Sequence, residues 1–130
     1  MKVLVDTCVW SRALRYKSSD AEITEKITKL IKSGSVVMIG PIRQELLSGI
    51  ADVSQFDKLK DRLSAFEDIP LEGDHFIKAA EFSNTCRKKG VQGSTIDFLI
   101  CAVAVIENLV IFTTDKDFEN YRKYLPITLF

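Results

Sequence analysis

Two hydrophobic patterns alternate along this chain. Short unbroken apolar runs, Val3-Leu4-Val5, Val36-Val37-Met38-Ile39 and Leu109-Val110-Ile111-Phe112, read as buried strands. β-Branched runs of this kind suit parallel sheets covered on both faces. Between them, apolar residues recur at helical spacing. Ile23, Ile27, Leu30 and Ile31 stand at i, i+4, i+7 and i+8, on one helical face. The polar break Ser18-Ser19-Asp20 is suited to capping that helix and Ser33-Gly34 to stopping it. Phe56, Leu59, Leu63 and Phe66 mark a second amphipathic helix. Further helices are expected over about residues 8–15, 41–48, 74–88 and 116–123. Pro41 suits a first helical turn, and Gly90 follows the end of the third of these. Another helix starts near Ser94 and runs through the apolar stretch 98–106, which makes it central and buried. Ile69-Pro70-Leu71 reads as a short strand near a sheet edge, because proline cannot donate to a ladder. Ile127-Thr128-Leu129 reads as a closing strand. The alternation predicts a three-layer α/β/α sandwich around a mostly parallel sheet of four to five strands. No linker or repeat divides it, so residues 1–130 are expected to form one domain.

Composition narrows the class. A chain of 130 residues with 46% hydrophobic and 28% charged residues is an ordinary globular mix, long enough to bury a core without staples. Its 18 basic and 18 acidic residues cancel, which argues against a strongly basic nucleic-acid coat and against a membrane-surface binder. A local basic patch remains compatible with that sum. Cys8, Cys86 and Cys101 are too widely spaced for a disulfide framework or a zinc site, and reduced thiols of a cytoplasmic protein are expected. The apolar run after Met1 is too short for a signal-peptide core, and 98–106 is too short to span a bilayer. His75 is the only histidine, which removes any two-histidine acid–base pair. It is expected at the surface. Trp10 and Tyr16 are suited to stacking on bases, although core packing or a partner surface is the plainer reading for both.

Carboxylates are therefore the candidates for chemistry. Asp6 directly follows the first strand, and Asp115 follows the 109–112 strand after two threonines. Glu45 lies early in the helix after 36–39, and Asp97 opens the buried helix. Ligands of open parallel sheets bind beyond the carboxyl ends of the strands, where Asp6, Glu45 and Asp115 fall. Singly, each has a bland reading. Asp6 and Asp115 suit helix caps, Asp97 suits the first turn of its helix, and Glu45 suits a solvated position beside Arg43 and Gln44. Together they coincide less easily. Asp97 stands immediately before Phe98-Leu99-Ile100-Cys101, where an unpartnered carboxylate is costly. A shared cation removes that cost for several acids at once. Oxygen ligands without His or Cys suit Mg²⁺ or Mn²⁺, and such ions activate water for phosphodiester cleavage.

Four segments resemble those of the PIN domain family, specifically the VapC-type toxins of toxin–antitoxin pairs. They are Val3-Leu4-Val5-Asp6-Thr7-Cys8-Val9-Trp10, Pro41-Ile42-Arg43-Gln44-Glu45-Leu46-Leu47-Ser48-Gly49, Ile96-Asp97-Phe98-Leu99-Ile100-Cys101-Ala102 and Thr113-Thr114-Asp115-Lys116-Asp117-Phe118. They stand in family order, and the likeness extends over essentially the whole chain. The resemblance implies a Mg²⁺- or Mn²⁺-dependent endoribonuclease, a homodimer, and a small antitoxin partner that blocks activity. It carries the family's acidic quartet over to Asp6, Glu45, Asp97 and Asp115, as metal ligands directly or through water. Thr113 matches a hydroxyl that helps hold the site, and Asp117 an acid often found before the Phe. Cys8 stands where many members have Asn, and Cys101 where many have Ala. Neither change removes a ligand.

An RNA substrate needs nearby positive charge. Arg12, Arg15 and Lys116 neighbour the motifs and are the candidate phosphate contacts, with Lys17, Arg122, Lys123 and the cluster Arg87-Lys88-Lys89 further off. The bland reading of each is a solvated face. Removing the quartet from the count leaves 18 basic residues against 14 acidic ones, so a bound metal would expose a local surplus. Two rival functions remain. A phospho-accepting receiver-like signalling module shares the size, the parallel sheet and a Mg²⁺ carboxylate site. It usually wants paired acids after the first strand and a lysine near the last, and neither stands here. A PIN domain that only binds RNA or protein is the other.

Overall fold

Among the described residues, three short parallel strands form the central sheet: β1 (Val3–Val5), β2 (Val36–Val37) and β3 (Val110–Phe112). Their order is β2-β1-β3. Val3 lies opposite Val36 on one side and Val110 on the other, and Leu4 opposite Val37 and Ile111. All three residues of β1 are fully buried, as befits a central strand without polar side chains. The computed structural model describes residues 1–14 and 20–130. Arg15, Tyr16, Lys17, Ser18 and Ser19 lie outside the described residues.

Among the described residues, seven helices supply the crossovers and cover the sheet: α1 (Thr7–Leu14), α2 (Ala21–Lys32), α3 (Gly40–Leu47), α4 (Val53–Leu63), α5 (Gly73–Lys88), α6 (Thr95–Ile106) and α7 (Asp117–Arg122). Local signals set their ends. The Asp20 carboxylate accepts the backbone N–H groups of Glu22 and Ile23, and Gly34 leaves α2 at φ +68°. Pro41 sits in the first turn of α3. Ser94 caps α6 by accepting the Asp97 N–H at 3.1 Å. In α6, every residue from Phe98 to Ala104 is buried, so the helix is apolar all round and forms the middle of the core.

The α/β/α architecture with a parallel sheet is as expected, but the sheet has three strands among the described residues rather than four to five. Each expected outer strand shrinks to one parallel bridge, Met38 with Asp68 and Ile111 with Leu129. On the first side Ile69 donates its N–H to the Met38 carbonyl at 2.9 Å. Pro70, next in line, has no N–H to extend the ladder. On the other side two bonds flank Ile111, one to the Thr128 carbonyl and one from the Phe130 N–H, which makes a single bridge centred on Leu129.

His75 also departs from expectation: it is buried, at 4% exposure. Its Nδ1 accepts the Glu72 N–H at 2.9 Å, so the ring hydrogen sits on Nε2 and is donated to Glu107 Oε1, also at 2.9 Å. The ring thereby ties the start of α5 to the end of α6, two helices that pack along their lengths. Arg43 is a second tie. It donates to the carbonyls of Leu63 and Phe66 and pairs with Asp68, fastening α3 to the segment after α4. Trp10 is core, meeting the Phe66 ring edge-on at a centroid distance of 5.4 Å. Cys8, Cys86 and Cys101 are free thiols, the last two buried. No helix among the described residues is long and apolar enough to cross a membrane.

Candidate active site

At the carboxyl edge of the sheet, Asp6 leaves β1 with its N–H bonded to the Phe112 carbonyl at 2.9 Å. That bond holds Asp6 beside the end of β3. Its side chain is buried, at 7% exposure, yet well supplied with donors. The Thr7 N–H reaches Oδ1 at 2.8 Å, the Thr113 hydroxyl reaches Oδ2 at 2.8 Å, and the Cys8 thiol lies 3.5 Å from Oδ2. Burial nevertheless pushes the Asp6 pKa up. The three donors oppose the rise, and the negative charge of Glu45 adds to it.

Thr113 joins two acids through one hydroxyl. It donates to Asp6 and accepts the Asp115 N–H at 3.0 Å. Asp115 in turn accepts the Asp117 N–H at 2.9 Å, which shapes the turn into α7. Cys8 does a comparable bridging task, its sulfur lying 3.5 Å from both Asp6 Oδ2 and Thr113 Oγ1. Its sulfur also accepts the Thr114 N–H at 3.4 Å. The 113–115 turn is thus tied to the start of α1.

Asp97 enters from the first turn of α6, where Ser94 orients the backbone. The Tyr121 hydroxyl donates to its Oδ2 at 2.7 Å. Burial raises the Asp97 pKa most, Tyr121 and Ser94 work against that, and the charges of Asp115 and Asp6 raise it further. Burial and the same hydrogen bond push the Tyr121 phenol up, so it stays a neutral donor. Cys101, one turn along α6, is held as a thiol by burial and by the Asp97 charge.

The acids converge unevenly. Asp97, Asp115 and Asp117 each offer a carboxylate oxygen within 4.8 Å of the other two. Asp117, expected only as a supporting residue, therefore belongs to the tightest trio. Asp6 lies close enough to raise the Asp97 pKa. Glu45 is exposed on α3 and is drawn in by Thr7, whose hydroxyl donates to Oε2 at 2.8 Å. Arg12 and Lys116 are exposed, Lys116 standing between Asp115 and Asp117 in the chain. Arg15 lies outside the described residues. Sequence reasoning did not single out Thr7 or Tyr121. The signal for Tyr121 was its place one turn after Asp117 and its character, since a buried tyrosine hydroxyl usually finds a partner.

The trio can be tested against a divalent cation. An octahedral Mg²⁺ with oxygens at about 2.1 Å spans roughly 4.2 Å between opposite ligands. At most one pair of the three can be opposite, so oxygens within 4.8 Å of one another would draw closer around such an ion by side-chain rotation. All donors are hard carboxylate oxygens, and the charges of Asp115 and Asp6 add to the rise of the Asp97 pKa. Both features fit a cation of the Mg²⁺ or Mn²⁺ class.

The PIN domain family model matches residues 3–124. The chain belongs to the PIN domain family. That membership displaces the receiver-like alternative. No curated protein matches the chain significantly. Among solved structures, this PIN domain is similar to the FitAcB structure from Neisseria gonorrhoeae, with 20% identity, a TM-score of 0.81, and coverage of 98% of this chain and 96% of that one. VapBC2 from Rickettsia felis, bound to a DNA fragment from their promoter, matches with 19% identity and a TM-score of 0.81, over 100% and 98% of the two chains. VapBC-1 from nontypeable Haemophilus influenzae matches with 18% identity and a TM-score of 0.78, over 100% and 97%. Identities this low speak to the fold alone.

Proposed function

We propose that this PIN domain is a Mg²⁺- or Mn²⁺-dependent endoribonuclease and the toxin of a toxin–antitoxin pair, acting in the cytoplasm. The observation that carries the reading is the convergence of Asp97, Asp115 and Asp117 beside the buried Asp6. Asp6, Asp97 and Asp115 would hold the cation with Asp117 in reach, directly or through water. Glu45, exposed and oriented by Thr7, would complete the site or orient the attacking water. When bound, the cation supplies an activated water and neutralises charge on the phosphate. Thr113 keeps Asp6 and Asp115 in register. Arg12, Arg15 and Lys116 are the proposed phosphate contacts.

The deciding experiment is cleavage of total RNA with Mg²⁺ or Mn²⁺ and with chelator. Metal-dependent cleavage is expected; none under any condition would favour a PIN domain that only binds. Metal should also stabilise the fold. Linkage gives about 2.7 kcal/mol at an ion concentration 100 times its dissociation constant. A melting temperature unmoved by millimolar Mn²⁺ would count heavily against the shared-cation reading.

The likeness to FitAcB and VapBC structures supports an antitoxin partner for this chain. A groove of about 830 Å³ between α1, α3 and α4 is a suitable seat, with Leu14, Leu46, Ile50 and Leu59 inside and Lys58 and Arg62 among its lining. It fits the apolar face of an amphipathic segment, with Asp61 lining it beside the two cations. Leu59→Glu should weaken capture of the antitoxin encoded beside this chain by about tenfold or more, read by co-purification. We further propose a homodimer.

A further inference from the structure

We infer that Tyr121 is a positioning residue for the acidic site: its buried hydroxyl holds Asp97 in the orientation from which that carboxylate meets those of Asp115 and Asp117. The inference rests on the metal-site reading above.

Three observations carry it. Tyr121 is fully buried and donates to Asp97 Oδ2 at 2.7 Å. Its ring is clamped from two sides, by Phe98 at a centroid distance of 5.1 Å and by Phe118 at 5.1 Å and an interplanar angle of 70°. The hydroxyl therefore has little freedom to follow Asp97, and Asp97 must come to it. Finally, space beside the ring is reserved for it at Gly93. A methyl at Gly93 would strike the Tyr121 hydroxyl, lie 2.8 Å from Tyr121 Cζ and lie 2.9 Å from Phe98 Cζ. Gly93 directly precedes Ser94, the cap of α6. One short segment thus both starts the helix that bears Asp97 and leaves room for the tyrosine that holds it.

Electrostatics supply the need for such a device. Asp115 and Asp6 both repel Asp97, and that repulsion would turn an unrestrained carboxylate away from the cluster. A neutral donor on a clamped ring opposes the turn without adding charge. Partners of this kind around metal ligands typically contribute 10- to 100-fold in metal affinity or activity.

The test is Tyr121→Phe, which keeps both ring contacts and removes only the oxygen. Folding is checked by circular dichroism in chelator, and Mn²⁺ binding is measured by titration calorimetry without RNA. The expected result is a native metal-free spectrum with Mn²⁺ affinity lowered by about tenfold or more, and a fall in kcat with RNA KM little changed. Gly93→Ala should lower Mn²⁺ affinity similarly by displacing the ring, although it touches no acid. Tight Mn²⁺ binding by wild type with undiminished binding by Tyr121→Phe overturns the inference and leaves the nuclease reading standing. Wild type that binds no Mn²⁺, or Asp97→Asn that binds it as tightly as wild type, overturns both.

Discussion

Asp97→Asn should lower metal-dependent RNA cleavage by about a hundredfold or more, while the metal-free protein becomes more stable at neutral pH. Both effects come from one cause. The Asp97 carboxylate is partly buried among like charges, and its pKa in the folded state lies above the ordinary value of 3.8. The folded protein therefore binds the Asp97 proton in a window where the unfolded chain has released it. By linkage, the contribution of this group to stability falls as pH rises from 3.8 through the raised folded value, and stays low above it. Asp6 adds to the same trend. Asparagine has no charge to release and still accepts the Tyr121 hydroxyl. The variant should thus gain on the order of 3 °C in melting temperature in chelator at pH 7. With saturating Mn²⁺ the order should reverse, because wild type gains the cation and the variant does not. Wild-type cleavage rates in Asp97→Asn would sink the assignment. A variant that melts below wild type in chelator would contradict the account of repulsion.

Much of this site was legible in the sequence because its signals are local. Asp20, Ser33-Gly34, Pro41 and Ser94 set helix ends through neighbouring backbone groups, and all act where they were expected. A parallel sheet sends its strand ends to one edge, so Asp6 and Asp115 could be placed from strand order alone. What escaped depends on partners far along the chain. His75 is buried because Glu107 receives its ring hydrogen, and nothing within a helical turn of His75 announces that. Thr7 reaches Glu45 and Tyr121 reaches Asp97 across distances that only the fold closes. The outer strands were overstated for a similar reason. An apolar triplet suggests a strand, but the length of a ladder is set by which backbone N–H groups remain to pair, and Pro70 removes one.

Phe118→Ala should destabilise the protein by about 3–5 kcal/mol, a large part of the stability of a typical domain, and disable the site in the molecules that still fold. Helix α7 has six residues, too few to be stable alone. It persists because Phe118 and Tyr121, both fully buried, pin one face of it to the core. Their rings meet edge to face at 5.1 Å. On the same short element ride Asp117 at its first position, Asp115 just before it and the Tyr121 hydroxyl. Losing the Phe118 ring frees the element that carries Asp117 and the donor to Asp97, and with it the turn through which Asp115 leads into that element. Activity should therefore fall further than the folded fraction does. Phe118→Leu, which keeps most of the apolar volume, should recover most of both. Chemical denaturation followed by fluorescence gives the stability, and cleavage per folded molecule gives the activity. If Phe118→Ala cleaved normally once corrected for folded fraction, α7 would not be what holds the trio together, and Asp115 and Asp117 would have to be kept in place by the Thr113 turn alone.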